Sequence, residues 1–408
     1  MKPSALKTPK QYQFIIQLGR ALHIYGVPSY KIQIYLSEVA QTKGIRGSFM
    51  DTPTWINYVF YSEDEEESYN YIECVSPGGL NLGALSRAVE ITDQVLADKI
   101  DFEEASLMLR LVYKQTQKVN HIILSLAFAL GAASFNLLMG TNWISCLVAF
   151  FMGMLVYGLS YLGLKSQFVN NTLEALAAFV VTILIGLLSI WLPTLNIPLT
   201  ILSAIIIFIP GLAITTALEE ITYKSLVSGS AKLFDASISL FKQFFGTILG
   251  LSVLPLFIDI NIDPVVSNLP QWISHSGIPL LAICLLPIFQ VRRKDIIYGV
   301  LTSIISYTVT VLLAPSGILI STFIGSITVV LISNLFAQIT KSPRHVFITQ
   351  GIIMLVPGSK AFIGISTVFL STPIENASNL GSQIAYILMG IVGGLLFSGS
   401  FNTKKINC

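Results

Sequence analysis

Two Pro-Gly pairs are the residues of this chain best placed to do chemistry. Pro210–Gly211 lies in "IFIPGLAITTALEEI" (207–221) and Pro357–Gly358 in "MLVPGSKAFIGI" (354–365), 147 positions apart in apolar sequence. Proline removes a backbone donor and clashes with the preceding turn, and glycine permits the bend. Each pair therefore predicts a broken helix. Freed backbone groups at membrane depth are tolerated only where they line a cavity or are buried in protein. Pro210, Gly211, Pro357 and Gly358 are thus candidate walls of a small-molecule site. A packing kink is the plainer reading of one such pair; two at matched positions favour a site. Thr215, Thr216 and Ser359 follow them closely. Lys360 stands about 14 residues into its apolar stretch, roughly 21 Å at helical rise. A lysine at that depth costs several kcal/mol unless it meets water or a partner. It either snorkels or holds a carboxylate beside the break. Glu219 and Glu220 close the first stretch, and Glu174 lies in "NNTLEAL". Each is an interfacial acid or a proton carrier, since burial raises a carboxylate's pKa. Glu220 is the first choice, about ten residues or roughly 15 Å beyond the break, with Glu219 turned about 100° away.

The elements that must position these residues follow from the charge pattern. The chain has 408 residues, 53% hydrophobic and 11% charged, with a mean hydropathy of +0.73. Residues 1–119 carry 26 of the 46 charges, whereas 120–401 carry 18. This divides the chain into a soluble domain (1–119) and a membrane domain. Nothing points to nucleic acid. Cys74, Cys146, Cys284 and Cys408 have no metal or disulfide spacing, and no cofactor motif is present. The N-terminus lacks the apolar core of a signal peptide.

Ten stretches are long enough to cross a bilayer: 121–139, 143–163, 173–192, 197–217, 237–258, 272–290, 296–314, 317–337, 346–370 and 382–400. The sixth is the weakest, being short and holding two prolines. Alternate loops carry Lys and Arg, including Lys165, Lys224, Lys232, Arg292, Arg293, Lys294, Lys341 and Arg344, and the loops between them carry none. Omitting the sixth span would put "VRRKD" on the wrong side. The positive-inside rule therefore selects ten spans with both termini cytoplasmic. Gly246 and Gly393 each follow their proline by 36 positions, and the spans between match at the same offset. The expected fold is a polytopic α-helical membrane protein of two inverted five-span repeats (120–265 and 266–408), preceded by the small α/β domain. An odd-numbered repeat re-enters from the opposite face, as in many secondary carriers.

In the soluble domain, 10–24, 29–41, 81–98 and 101–118 read as helices and 45–50, 54–61 and 71–76 as strands. "SEDEEES" (62–68) reads as a solvated hairpin loop and "SPGGLNLG" (76–83) as a strand-to-helix turn. His23 is expected on a helix surface.

The chain resembles the threonine/serine exporter family over nearly its whole length. The likeness rests on "ALHIYGVPSYKIQIYLSEVA", "RAVEITDQVLADKIDFEEASLML", "IPGLAITTALEEI…LVSGSAKL" and "GIIMLVPGS". It places Pro-Gly, Ser/Thr, acid and Ser-Gly on Pro210, Gly211, Thr215, Thr216, Glu220, Ser228 and Gly229. What the resemblance implies is proton-driven export of small amino acids across the cell's inner (plasma) membrane. Two-component relatives export dicarboxylates, and Lys360 would suit that alternative. The implied partners are an amino acid or carboxylate, protons and membrane lipid, with a homo-oligomer left open. The alternative of another class is a membrane-tethered hydrolase or sensor; no nucleophile–base pair stands out in 1–119.

Overall fold

The computed structural model describes residues 9–62, 67–116, 120–258, 269–356 and 374–399. The N-terminal part is two helices, α1 (Lys10–Ile24) and α2 (Ser29–Thr42), then three strands, then α3 (Leu82–Leu96) and α4 (Phe102–Thr116). Strands β1 (Arg46–Asp51), β2 (Trp55–Tyr61) and β3 (Ser68–Cys74) form an antiparallel meander with β2 central. Ile56, Tyr58 and Phe60 alternate inward along β2. They meet Phe14, Leu18 and Leu22 of α1 and Ile32 and Leu36 of α2. Each fully buried side chain of this size contributes about 1.5–3 kcal/mol. Gly19 lets α1 pass against the Tyr58 ring, where a Cβ would collide.

Beyond residue 120 the described chain is helical: α5 (His121–Leu138), α6 (Trp143–Gly163), α7 (Gln167–Ser189), α8 (Ile197–Ala204), α9 (Gly211–Thr222), α10 (Leu226–Val253), α11 (Gln271–His275), α12 (Gly277–Ile288), α13 (Ile296–Leu312), α14 (Ile318–Thr340), α15 (Arg344–Leu355) and α16 (Ile374–Gly399). Among the described residues, seven helices are long and apolar enough to cross a membrane, and α8–α9 adds an eighth if the bent pair is one span. The sixth expected span is short, as its sequence indicated: α11 and α12 form an apolar piece over Trp272–Ile288. The ninth is α15 followed by residues outside the described set. Many large apolar side chains on the long helices face outward, among them Phe151, Phe241 and Leu331, as expected of helices that meet lipid.

The two helix ends nearest the proline pairs have similar geometry. A short 3-10 turn (Ile206–Phe208) follows α8, and Ile209 is extended (φ −68°, ψ 117°) before Pro210. The axes on either side differ by 55°. Likewise α15 stops at Leu355, and Val356 is extended (φ −67°, ψ 133°) before Pro357. Proline drives its predecessor out of the helical region in both places. Close helix contacts are made through glycine. A Cβ on Gly246 would strike the Ala175 carbonyl of α7, and one on Gly394 would strike the Ser326 hydroxyl of α14.

Candidate functional site

A cavity of about 490 Å³ lies where the two halves of the helical region meet. Its wall takes Pro210–Ala213 from the start of α9 and Ile353–Val356 from the end of α15. Phe135 and Leu138 of α5, Leu281 and Leu285 of α12, and Tyr307 and Thr310 of α13 close the sides. Ser321 and Thr322 of α14 and Ile387 of α16 also line it, together with Leu80 of the N-terminal domain. The volume falls in the range of roughly 300–1,000 Å³ usual for small-molecule sites.

The break at Pro210 is held from outside the cavity. Gln243 of α10 is fully buried, and its Nε2 donates to the freed Phe208 carbonyl at 2.7 Å. Its Oε1 has no hydrogen-bond partner among the described residues. Asn136 of α5 donates to the Leu199 carbonyl (3.3 Å) and to Ser203 Oγ (3.0 Å) on α8. On the other half, Ser303 and Ser306 of α13 donate to the Gln350 and Gly351 carbonyls of α15 at 2.9 and 3.3 Å. Side-chain donors therefore anchor both helices that run toward a Pro-Gly pair, which buried polar backbone requires.

The candidate residues separate into groups. Pro210 and Gly211 lie in the cavity wall. Thr215 does not: it is buried and its hydroxyl donates to the Gly211 carbonyl within α9. Thr216 is half-buried and also outside the wall. Pro357, Gly358, Ser359 and Lys360 lie outside the described residues. Glu174 pairs with Lys242 at 3.6 Å, and Lys242 also donates to the Asn171 carbonyl.

Glu219 and Glu220, at the far end of α9, meet the N-terminal domain. Glu220 is fully buried. Its Oε1 accepts the Ser29 backbone N–H at 2.7 Å and pairs with Lys232 of α10. Its Oε2 is buried with no hydrogen-bond partner among the described residues. Glu219 accepts the Tyr30 hydroxyl at 2.6 Å, with Lys31 Nζ at 3.4 Å. Tyr30 stacks on Tyr223 with centroids 4.2 Å apart. Burial, then the Glu219 charge, pushes the Tyr30 hydroxyl above its ordinary range, so it stays a donor. Although the two carboxylates diverge around α9, the first turn of α2 grips both.

Behind Ser29 the network continues. Its hydroxyl donates to Asp51 Oδ2 (2.6 Å) and contacts Ser228 Oγ (2.6 Å). Asp51 Oδ1 meets His23 Nδ1 at 2.7 Å, and His23 Nε2 faces the Ser76 carbonyl at 3.1 Å. His23 is thus buried (5% exposed) rather than on a helix surface, because its partners arrive from β1 and the loop after β3. Both ring nitrogens are engaged and neither touches Ser29, so the group is not a nucleophile–base pair. Sequence reasoning gave no role at this junction to Ser29, Tyr30, Lys31, Asp51, Gln243 or Leu80, and read Lys232 only as a loop cation. The "GVPSYK" and "LVSGSAKL" stretches carried a signal, as parts of the family-like segments.

A second seam joins α3 to the α12–α13 turn. Leu82 N–H and Gly83 N–H donate to the Phe289 and Gln290 carbonyls at 2.9 and 3.1 Å. Asn81 Nδ2 donates to Gln290 Oε1 at 2.8 Å, and Arg292 pairs with Glu90 at 2.8 Å. Leu82 is fully buried against Phe289, Val346 and Phe347.

Comparison with known proteins bears on this arrangement. Residues 13–254 match a family model described as "Putative threonine/serine exporter", and residues 276–401 match one described as "Threonine/Serine exporter, ThrE". Among curated proteins, the chain is 25% identical over 384 residues to pheromone-regulated membrane protein 10 of Eremothecium gossypii, covering 92% of this chain and 51% of that protein. It is 25% identical over 386 residues to an uncharacterized protein of Schizosaccharomyces pombe, covering 91% and 50%. The same-named membrane protein of Kluyveromyces lactis is 23% identical over 417 residues, covering 96% and 44%. The chain spans about half the length of these relatives. No solved structure matches it at a significant level.

Proposed function

Because the chain belongs to the threonine/serine exporter family, we propose that it is a secondary exporter of small amino acids such as threonine and serine, driven by protons. The observation that carries this reading is the cavity between the halves, walled by Pro210–Gly211 and by the end of α15 just before Pro357. A broken helix there offers backbone N–H groups at the start of α9, which suit a substrate carboxylate. Thr215 and Thr216 then act by shaping α9, and Pro357, Gly358, Ser359 and Lys360 are the substrate-binding candidates of the second half. The hydroxyl-bearing Tyr307, Thr310, Ser321 and Thr322 stand opposite.

Ten spans in two inverted repeats make this an alternating-access carrier. In support, α6, α7, α8 and α10 recur as α13, α14, α15 and α16 at nearly the 147-residue offset. Both termini lie in the cytoplasm of a plasma-membrane protein, in keeping with the Lys/Arg loop asymmetry. Glu220 is the coupling carboxylate, and its unpartnered Oε2 is the seat for the proton. Glu219 and Glu174 rank behind it because both are less deeply buried: Glu220 is fully enclosed, whereas the Glu219 and Glu174 side chains keep partial exposure.

The test is counterflow in proteoliposomes with labelled threonine, serine and succinate. Exchange of threonine or serine is expected. Exchange of succinate alone would replace this reading with dicarboxylate export, for which Lys360 is the observation in favour. Exchange of none would refute transport of these classes.

A further inference from the structure

Among the described residues, Leu80 is the one part of the cavity wall that does not come from the helical region. It sits in the loop between β3 and α3, two residues before the α3 seam. We propose that the N-terminal domain gates the cavity, with Leu80 as the plug and the α2 grip on Glu219 and Glu220 as the latch. The proposal rests on reading the cavity as the substrate site.

Three observations carry it. First, the plug is held by backbone. The Leu82 and Gly83 amides bond the Phe289 and Gln290 carbonyls, and a Cβ on Gly83 would collide with the Gln290 carbonyl. The loop therefore cannot move without lifting the domain. Second, the latch is polar and buried. Ser29 N–H and Lys232 share one oxygen of Glu220, while Tyr30 and Lys31 hold Glu219. Bonds of this kind are strong when formed and costly when half-made, which suits an element with two states. Third, latch and cavity occupy the two ends of one helix. Gly211 opens α9 in the cavity wall and Glu220 lies roughly 14 Å along it. Movement of α9 at the break is thereby felt at the latch.

Proton binding and gate release then become one event. A proton on Glu220 removes the anion that Ser29 N–H and Lys232 hold. The charged and titratable groups facing this junction are Tyr30 and Lys31 of α2, Glu219 and Tyr223 at the end of α9, Lys232 of α10, and Arg344 and His345 at the start of α15; Asp51 stands behind Ser29. Without that anion the bonds from Ser29 N–H and Lys232 weaken, and the grip of α2 on the end of α9 passes to Glu219.

The gate is read without substrate. In the full chain with its native cysteines replaced, Thr310→Cys puts one thiol in the cavity wall. An impermeant thiol reagent is applied from the side of the N-terminal domain. Leu80→Gly is expected to raise the labelling rate at least tenfold, and Leu80→Met to leave it near the parent value. Glu220→Gln should raise it as well. Equal labelling in the parent and Leu80→Gly proteins would overturn the plug, and equal labelling in the parent and Glu220→Gln proteins would overturn the latch. As a second measurement, a disulfide across Asn81→Cys and Gln290→Cys should abolish threonine counterflow reversibly. Full counterflow in the cross-linked protein overturns the gate. Absence of counterflow in the reduced pair, with gated labelling intact, would instead sink the substrate assignment and leave the gate standing.

Discussion

Tyr30→Phe isolates one bond of the junction between the N-terminal domain and the helices. The ring keeps its stack on Tyr223, so only the hydroxyl that donates to Glu219 at 2.6 Å is lost. A hydrogen bond to a charged acceptor contributes about 1.5–3 kcal/mol. Lys31 remains at 3.4 Å from the same oxygen, which places the loss at the lower end, about 1.5 kcal/mol and hence about tenfold in an opening equilibrium. Amide hydrogen exchange on the reconstituted chain reads that equilibrium directly. Peptides covering residues 28–33 and 80–85 should both exchange about tenfold faster, because the two seams belong to one body. Peptides around Leu18–Leu22 and Ile56–Phe60 should keep their protection. Because the Tyr30 hydroxyl is raised above its ordinary range, the difference should persist at mildly alkaline pH. Unchanged exchange at both seams, or faster exchange spread evenly over the N-terminal core, would refute the reasoning.

Glu220→Gln should stop uphill transport yet leave substrate exchange, which needs no net proton movement, and Glu219→Gln should matter less; accumulation against a gradient by Glu220→Gln vesicles would rule it out as the coupling group. Gln243→Leu strands the Phe208 carbonyl at a cost of about 1–3 kcal/mol, so exchange should fall while Gln243→Glu, which lacks the donor, behaves no better; wild-type exchange in the Leu variant would show that the break needs no such anchor. Lys360→Met should raise the apparent Km or abolish counterflow if the ammonium holds a carboxylate, with Lys360→Arg partly active; full activity of the Met variant would mean that the lysine snorkels. Burial raises the Glu73 carboxyl pKa against the opposing pull of Arg20, so folding favours its protonated form. That contribution is complete below the ordinary glutamate range and is lost as pH rises through the raised value. Glu73→Gln should therefore raise the melting temperature at neutral pH, since burial outweighs the half-exposed Arg20 in setting this carboxyl. The gain should shrink toward acid, and an equal gain at every pH would exclude titration as its cause.

Local physics was legible in the chain. Proline and glycine act on their own backbone and on the preceding turn, so the break at Pro210 and the extended residue before Pro357 could be read directly. Hydropathic length located the helices, and period-two alternation along "WINYVFY" located the central strand. The sixth stretch, with two prolines and a short apolar run, forms the shorter apolar piece Trp272–Ile288. What the sequence could not give is which distant groups meet. His23 looked like a surface residue because its own helix says nothing about Asp51 or the Ser76 carbonyl. Glu219 and Glu220 could be read as interfacial acids or proton carriers, but nothing near them in the chain pointed to the N-terminal domain. Their partners at Ser29, Tyr30 and Lys31 lie about 190 positions away. A hydrogen bond depends on three-dimensional distance and angle, and a single chain encodes those only through the packing of every element between its ends. The types of the residues fixed what each could do; the docking of the N-terminal domain on α9 and α12 decided which of them do it together.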